Sequence, residues 1–115
     1  MMNRDALRER WRVAAVEAAN AADKAARAKD GREIFLEQLI DTLIAQAAER
    51  GEVLSHAAAK RMATTSDGYL SYMRKMHDLR KHAAMLKIAA GDADKRYWES
   101  VSAEATYRAE ARASL

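Results

Sequence analysis

The sequence contains no cysteine and no proline, and only four of its 115 residues are glycine. The absence of cysteine excludes disulfides, thiolate metal sites and cysteine nucleophiles. Proline is the strongest breaker of helices, so its absence permits helices of unusual length. Aromatic residues make up only 6% of the chain. Large side chains that could fill a monomeric core are therefore scarce.

Long apolar runs are also missing. No stretch approaches the ~18 consecutive apolar residues that a membrane-spanning helix requires. The first residues, MMNRDALRERWRV, lead directly into a charged helical pattern and contain no apolar signal region. We therefore expect a cytoplasmic protein that has no membrane partner.

The motifs that support common chemistries are not found either. The glycines stand singly, without the spacing of a phosphate-binding loop, and no nucleophile elbow occurs around a serine. His77 and His82 are five residues apart, which separates them by about 140° around a helix, whereas metal-binding pairs need a spacing of three or four. We predict no catalytic residues, no cofactor and no metal site, and hence no enzyme.

The residues that are abundant are those of long helices. Alanine accounts for 27 positions, and glutamate, lysine, arginine and leucine are also frequent. This composition is typical of coiled coils and helical bundles. Alanine buries little surface, however, so helices that pack through alanine gain little free energy per turn. The composition predicts an all-α fold with a thin core.

Apolar residues recur at alternating spacings of three and four from residue 69 to residue 97. This set, called the seam below, consists of Tyr69, Tyr72, Met76, Leu79, Ala83, Leu86, Ala90, Ala93 and Tyr97. The spacing is a heptad repeat that places all nine residues on one helix face. The seam suits antiparallel return against the earlier helices, contact with a second chain, or both. We predict that it mediates self-association into a homo-oligomer.

Local signals define the expected helix boundaries. Asn3 and Ser55 are good N-caps, Gly51 is a natural C-cap, and Asp30-Gly31 indicates a bend or a fresh start. The resulting helices span about 4–29, 31–50, 55–63 and 67–113. Together they predict a single domain, residues 1–115, built as an antiparallel helical hairpin or small bundle with a long C-terminal coiled-coil-like helix.

The net charge of +3 is unevenly distributed. Residues 56–87 contain seven basic and two acidic side chains. The candidates for nucleic-acid contact are Lys60, Arg61, Arg74, Lys75, Arg80 and Lys81. A short helix, a turn and a second helix resemble a helix-turn-helix in layout, but the seam claims Tyr72, Met76 and Leu79 of the second helix. The pattern fits either a solvated basic face or binding to DNA, in which case contacts go mainly to phosphates, with little sequence preference.

The last third of the chain also resembles small helical proteins of temperate bacteriophages and prophages. The matching elements are a tyrosine that opens a long helix, Ser100 two residues after Trp98, Ala105-Thr106, and Arg108-Ala109-Glu110. Such proteins look like accessory factors encoded near phage DNA-replication or recombination functions. The resemblance implies a cytoplasmic, protein- or DNA-associated role, and it transfers no functional residues.

These observations favour a non-enzymatic interaction or assembly protein with an unidentified protein partner, and the resemblance implies a phage-derived accessory role. The alternative is a nucleic-acid-binding protein that uses residues 60–87.

Overall fold

A computed structural model describes residues 3–114 of the protein. Within these residues there are three α-helices and no strand. The helices are α1 (Arg4–Glu49), α2 (His56–Thr64) and α3 (Asp67–Ala113). The prediction of an all-α fold is confirmed.

Side-chain caps fix the beginnings of the helices. The side-chain oxygen of Asn3 accepts a hydrogen bond from the Ala6 amide at 2.8 Å, and Ser55 accepts one from the Ala58 amide at 3.1 Å. Ser66 accepts a bond from the Tyr69 amide at 3.3 Å at the start of α3. Each bond satisfies an amide that has no partner within its helix.

Gly51 ends α1, as the sequence predicts. The Gly51 amide donates to the Ala48 carbonyl at 3.0 Å, and the Glu52 amide donates to the Ala47 carbonyl at 2.9 Å. This pair of bonds is a Schellman motif, which requires a left-handed residue at its centre. Gly51 supplies that conformation with a φ of +74°.

The predicted boundary at residues 29–31 is wrong, because α1 continues through Asp30 and Gly31 as one helix of 46 residues. One glycine costs a helix only ~1 kcal/mol, which is less than the packing of the surrounding turns supplies. The heptad spacing of Ala25 and Ala28 also continues across the glycine into Phe35 and Leu39. Two predicted helices are therefore one.

The second long helix is likewise uninterrupted. It includes 47 residues and passes through Gly91, beside which no side chain lies within 4 Å of the position of an added Cβ. The heptad phase of the seam had predicted this continuity.

The contacts divide the chain into two compact units. Unit 1 comprises the described parts of Met1–Ala22 and His82–Leu115, and unit 2 comprises Asp23–Lys81. In each unit, a segment of α1 runs antiparallel to a segment of α3, which is the contact pattern of a helical hairpin.

Unit 1 is held by an aromatic stack and by small residues. Trp11 stacks on Tyr97 with ring centroids 5.4 Å apart, and Ala21 and Ala93 are buried. Arg4 forms an exposed ion pair with Glu104 at 3.0 Å.

Unit 2 contains a cluster of larger apolar side chains. Ile40 of α1 is fully buried with Ala59 and Ala63 of α2. The partly buried residues around them are Leu36, Leu39, Leu43, Ile44 and Leu54. The leucine- and isoleucine-rich segment of α1 thus supplies most of the large side chains of this cluster.

Candidate functional site

The seam faces inward along its whole length. Met76 and Ala93 are buried, and the other seven residues of the seam are half-buried. Where partners are resolved, they belong to α1 of the same chain, as for Tyr72 and Tyr97. The predicted contact residues Tyr69, Tyr72, Met76, Leu79, Leu86 and Tyr97 are thus used in packing within the chain. Of the predicted uses of the seam, the structure contains the packing of α3 antiparallel to α1 of the same chain.

Tyr72 makes the most specific contact of the seam. Its ring stacks on Phe35 with centroids 4.6 Å apart and an interplanar angle of 15°. Its hydroxyl donates a hydrogen bond to the Ala28 carbonyl of α1 at 2.5 Å. A Cβ added to Gly31 would lie 3.0 Å from this hydroxyl oxygen. Gly31 therefore provides the space in which Tyr72 approaches the backbone of α1.

The two adjacent aromatic residues of α3 have different environments. Tyr97 is half-buried against Trp11, whereas Trp98 packs edge-on against Tyr97 and remains 53% exposed. Two neighbouring residues of a helix cannot both face one seam. Trp98 is the one that projects outward.

Unit 1 carries exposed apolar residues that the sequence analysis did not select. Val13 and Val16 lie on α1, and Met85 and Ile88 lie on α3. These four residues are called the outer apolar set. Each pair has a spacing of three, which places its members on one helix face, away from the heptad positions that pack inward. The spacing of three within each pair could have indicated these exposed faces from the sequence. The longer heptad pattern of the seam accounts for most apolar residues of α3, so these pairs were not selected.

The six predicted nucleic-acid contacts all lie in unit 2 and are exposed. Lys60 and Arg61 lie on α2, and the other four lie on α3. None of the six forms an ion pair with a residue of the described chain, 3–114. The basic residues that do form ion pairs are Arg4, Arg12, Arg27, Arg50, Lys95 and Arg108. The side chains of these six residues are thus not held in ion pairs within residues 3–114, although Asp78 lies among the four of them on α3.

Titratable groups form few close arrangements. The Glu9 carboxylate accepts a hydrogen bond from Arg12 at 2.8 Å, and this bond together with the negative charge raises the pKa of Arg12. Both side chains are exposed, so the contact is an ordinary surface ion pair. In the described part of the chain, no group of three or more histidine, aspartate or glutamate side chains could hold a metal ion.

An open depression of about 450 Å³ on unit 1 is lined by Asn3, Arg4, Asp5, Ser100 and Glu104. Another, of about 250 Å³, is lined by Arg12, Val13, Val16 and Glu17 and includes one pair of the outer apolar set. Across residues 3–114, none of the helices is long and apolar enough to cross a membrane.

The chain matches no protein-family model, no curated protein and no solved structure at a significant level.

Proposed function

We propose that this protein is a non-enzymatic helical assembly module that acts in the cytoplasm and associates with a second copy of itself. The observation that supports this proposal most directly is that the core of the protein contains few large side chains. Among the residues that the structure describes, Ile40 is the one large side chain that is fully buried. The other buried apolar residues are six alanines and Met76. A core of this kind contributes little free energy per residue.

The exposed surface supports the same proposal. Large apolar side chains remain exposed on the described helices, among them Val16, Met85 and Ile88. Each square ångström of apolar surface that a second copy covers contributes roughly 25 cal/mol. Association therefore compensates for burial that the single chain does not achieve.

We assign this association to the outer apolar set, that is, to the exposed pair on α1 and the exposed pair on α3. Val13 and Val16 are 46% and 55% exposed, and Met85 and Ile88 are 60% and 67% exposed. All four belong to unit 1 and lie outside the packed seam. This assignment differs from the self-association through the seam that the sequence analysis predicts, because the seam is occupied by α1.

Sedimentation equilibrium at tens of micromolar tests the proposal. We expect the wild-type mass to exceed 12.8 kDa and the double variant Met85→Glu/Ile88→Glu to sediment as a monomer, because two charges cannot be buried in an apolar contact. Val53→Glu is the matched control, since Val53 is a fully exposed apolar residue in the segment between α1 and α2. A wild-type protein that sediments as a monomer would contradict the proposal.

The resemblance to small helical phage and prophage proteins agrees with an assembly role. We propose that the protein is a phage-derived accessory factor. One of its partners is a second copy of itself, and the other is another protein or DNA.

Nucleic-acid binding is a second candidate function. Its specific support is the set of unpaired basic side chains on unit 2, described above. Lysine and arginine side chains that are exposed and not held in ion pairs are available to neutralise phosphates, and release of the phosphate counterions then drives binding.

Replacing Arg74, Lys75, Arg80 and Lys81 by glutamine tests the second candidate. With roughly four to six phosphate contacts, the wild type should show a slope of log affinity against log salt between about −3 and −5. The variant should bind all sequences more weakly and show a shallower slope, while keeping its helicity because glutamine favours helices. Absence of wild-type binding to single- and double-stranded DNA at ~50 mM salt would identify the cluster as a solvated face.

A further inference from the structure

We propose that one exposed face of α3, formed by Leu70, Ser71, Arg74 and Lys75, enters the major groove of duplex DNA and reads base sequence. This face is called the reading face. The inference rests on the second candidate function and goes beyond it, because phosphate contacts position a protein on DNA but do not specify a sequence.

The first support is the connection between α2 and α3. Only Thr65 and Ser66 separate the two helices. The Ser66 amide and hydroxyl both donate to the Ala63 carbonyl, at 3.1 and 2.6 Å, and the Ser66 hydroxyl oxygen caps α3. The second helix is therefore directed by a short, fully bonded turn, as the recognition helix of a helix-turn-helix is.

The second support is that unit 2 holds both helices on α1. Ala59 and Ala63 of α2 pack against Ile40, and Tyr72 of α3 stacks on Phe35. A helix that is inserted into a groove needs such a rigid base, since motion of a few ångströms would displace its side chains from the base edges.

The third support is the exposure of the reading face. Tyr69, Tyr72, Met73 and Met76 are at least half-buried, whereas Leu70, Ser71, Arg74 and Lys75 are exposed. The spacing of the exposed residues is i, i+1, i+4 and i+5, so they lie together on the side of α3 that does not pack. The sequence pattern alone predicts no side chains that could read bases, because Tyr72, Met76 and Leu79 belong to the seam. The structure shows that the seam uses one face and leaves another free.

The side chains of the reading face suit base edges. An arginine can donate two hydrogen bonds to guanine, a serine can bond several bases, and an apolar side chain can contact the thymine methyl group. Lys60 and Arg61, on α2, are exposed basic residues that can contact phosphates beside the groove. The major groove of B-form DNA accepts a helix, whereas that of double-stranded RNA is too narrow. Duplex DNA is therefore the ligand.

The test is selection of the 115-residue chain on a pool of randomised DNA duplexes, followed by affinity measurements on the enriched sequence and a scrambled one. We expect an enriched motif. Arg74→Lys keeps the charge but loses the bidentate fork, so it should reduce the preference for the motif about tenfold, with unchanged affinity for the scrambled duplex and an unchanged salt slope. Arg80→Lys is the matched control and should leave the preference unchanged.

The outcomes separate the two levels of the proposal. If the wild type binds neither duplex at ~50 mM salt, the nucleic-acid function itself fails. If it binds but enriches no motif, the reading face is wrong and the phosphate-binding function remains. A motif that Arg74→Lys and the double variant Leu70→Ala/Ser71→Ala recognise as strongly as the wild type would also overturn the assignment.

Discussion

Gly31 illustrates how one residue can be read in two ways. In the sequence it follows Asp30 and resembles a break between helices, yet in the structure it lies inside α1 opposite the hydroxyl of Tyr72. Tyr72 cannot easily move away, because its ring stacks on Phe35 and its hydroxyl is bonded to the Ala28 carbonyl. The absence of a side chain at position 31 therefore serves packing, not flexibility.

Replacing Gly31 by alanine should consequently destabilise unit 2. The new Cβ would lie 3.0 Å from the Tyr72 hydroxyl oxygen, and displacing that hydroxyl sacrifices a hydrogen bond and some of the stacking. We expect a loss of about 1 kcal/mol in the free energy of unfolding, measured with urea, even though alanine favours helices by ~1 kcal/mol.

Two controls make the prediction specific. Gly91→Ala should stabilise the protein by about 0.5–1 kcal/mol, because nothing lies within 4 Å of the added Cβ. In a Tyr72→Phe background, which lacks the hydroxyl, Gly31→Ala should also become stabilising. A Gly31→Ala variant as stable as Gly91→Ala in the wild-type background would show that Tyr72 does not restrict this position.

At the scale of elements, α1 packs against α3 with one face and against α2 with another. Its heptad positions pack against α3, as Phe35 does with Tyr72, while Ile40 lies in the cluster with α2. The width of the apolar stripe in this part of α1 is explained by these two contacts. The same segment also contains Ile34, which is 65% exposed and belongs to neither face.

An aspartate on the packed face of α1 should unfold unit 2. Leu39 packs against the Ile40 cluster and lies beside Gly68 of α3, 4.0 Å from the position of an added Cβ. An unpaired charge buried there costs several kcal/mol, a large part of a total stability of about 5–15 kcal/mol. We expect Leu39→Asp, and likewise Leu43→Asp, to lower the helicity measured by circular dichroism and the melting temperature.

Ile34→Asp is the matched control on the same helix. Because its side chain is exposed, we expect a change of less than about 1 kcal/mol. Equal melting temperatures for Leu39→Asp and the wild type would mean that the core lies elsewhere.

For the whole molecule, the small amount of buried apolar surface connects the fold to the proposed function. Alanine dominates the buried residues, and the outer apolar set remains exposed in unit 1. If a second copy covers this set, as proposed, the folding and the association of the chain are linked.

This linkage predicts a concentration-dependent melting temperature. A tenfold increase in protein concentration should raise the melting temperature by about 3–5 °C if the folded chain is a dimer. The variant Met85→Glu/Ile88→Glu should melt at a temperature independent of concentration, and Val53→Glu should behave as the wild type does. Calorimetry at two concentrations is sufficient, and a wild-type melting temperature that does not change would exclude a dimer linked to folding.

The sequence by itself determined the features that depend on neighbouring residues. The caps at Asn3 and Ser55, the end of α1 at Gly51 and the inward face of α3 all follow from local hydrogen bonding and from helical periodicity. These effects act within a few residues, so they can be recognised before the fold is known. The excess of basic residues between positions 56 and 87 is likewise visible in the sequence, because it is a matter of composition alone.

Only the tertiary structure decided what depends on residues far apart in the chain. Whether Gly31 breaks α1 depends on Tyr72, more than forty residues away. Whether the seam is covered depends on contacts such as that of Trp11 with Tyr97, and Trp98 and Ile88 stay exposed because no part of the described chain packs over them. The periodicity of the sequence predicts that a helix face is apolar, but it does not predict which part of the protein covers that face. Several partners would give a similar free energy per unit of buried area, and the choice between them depends on how the chain folds back.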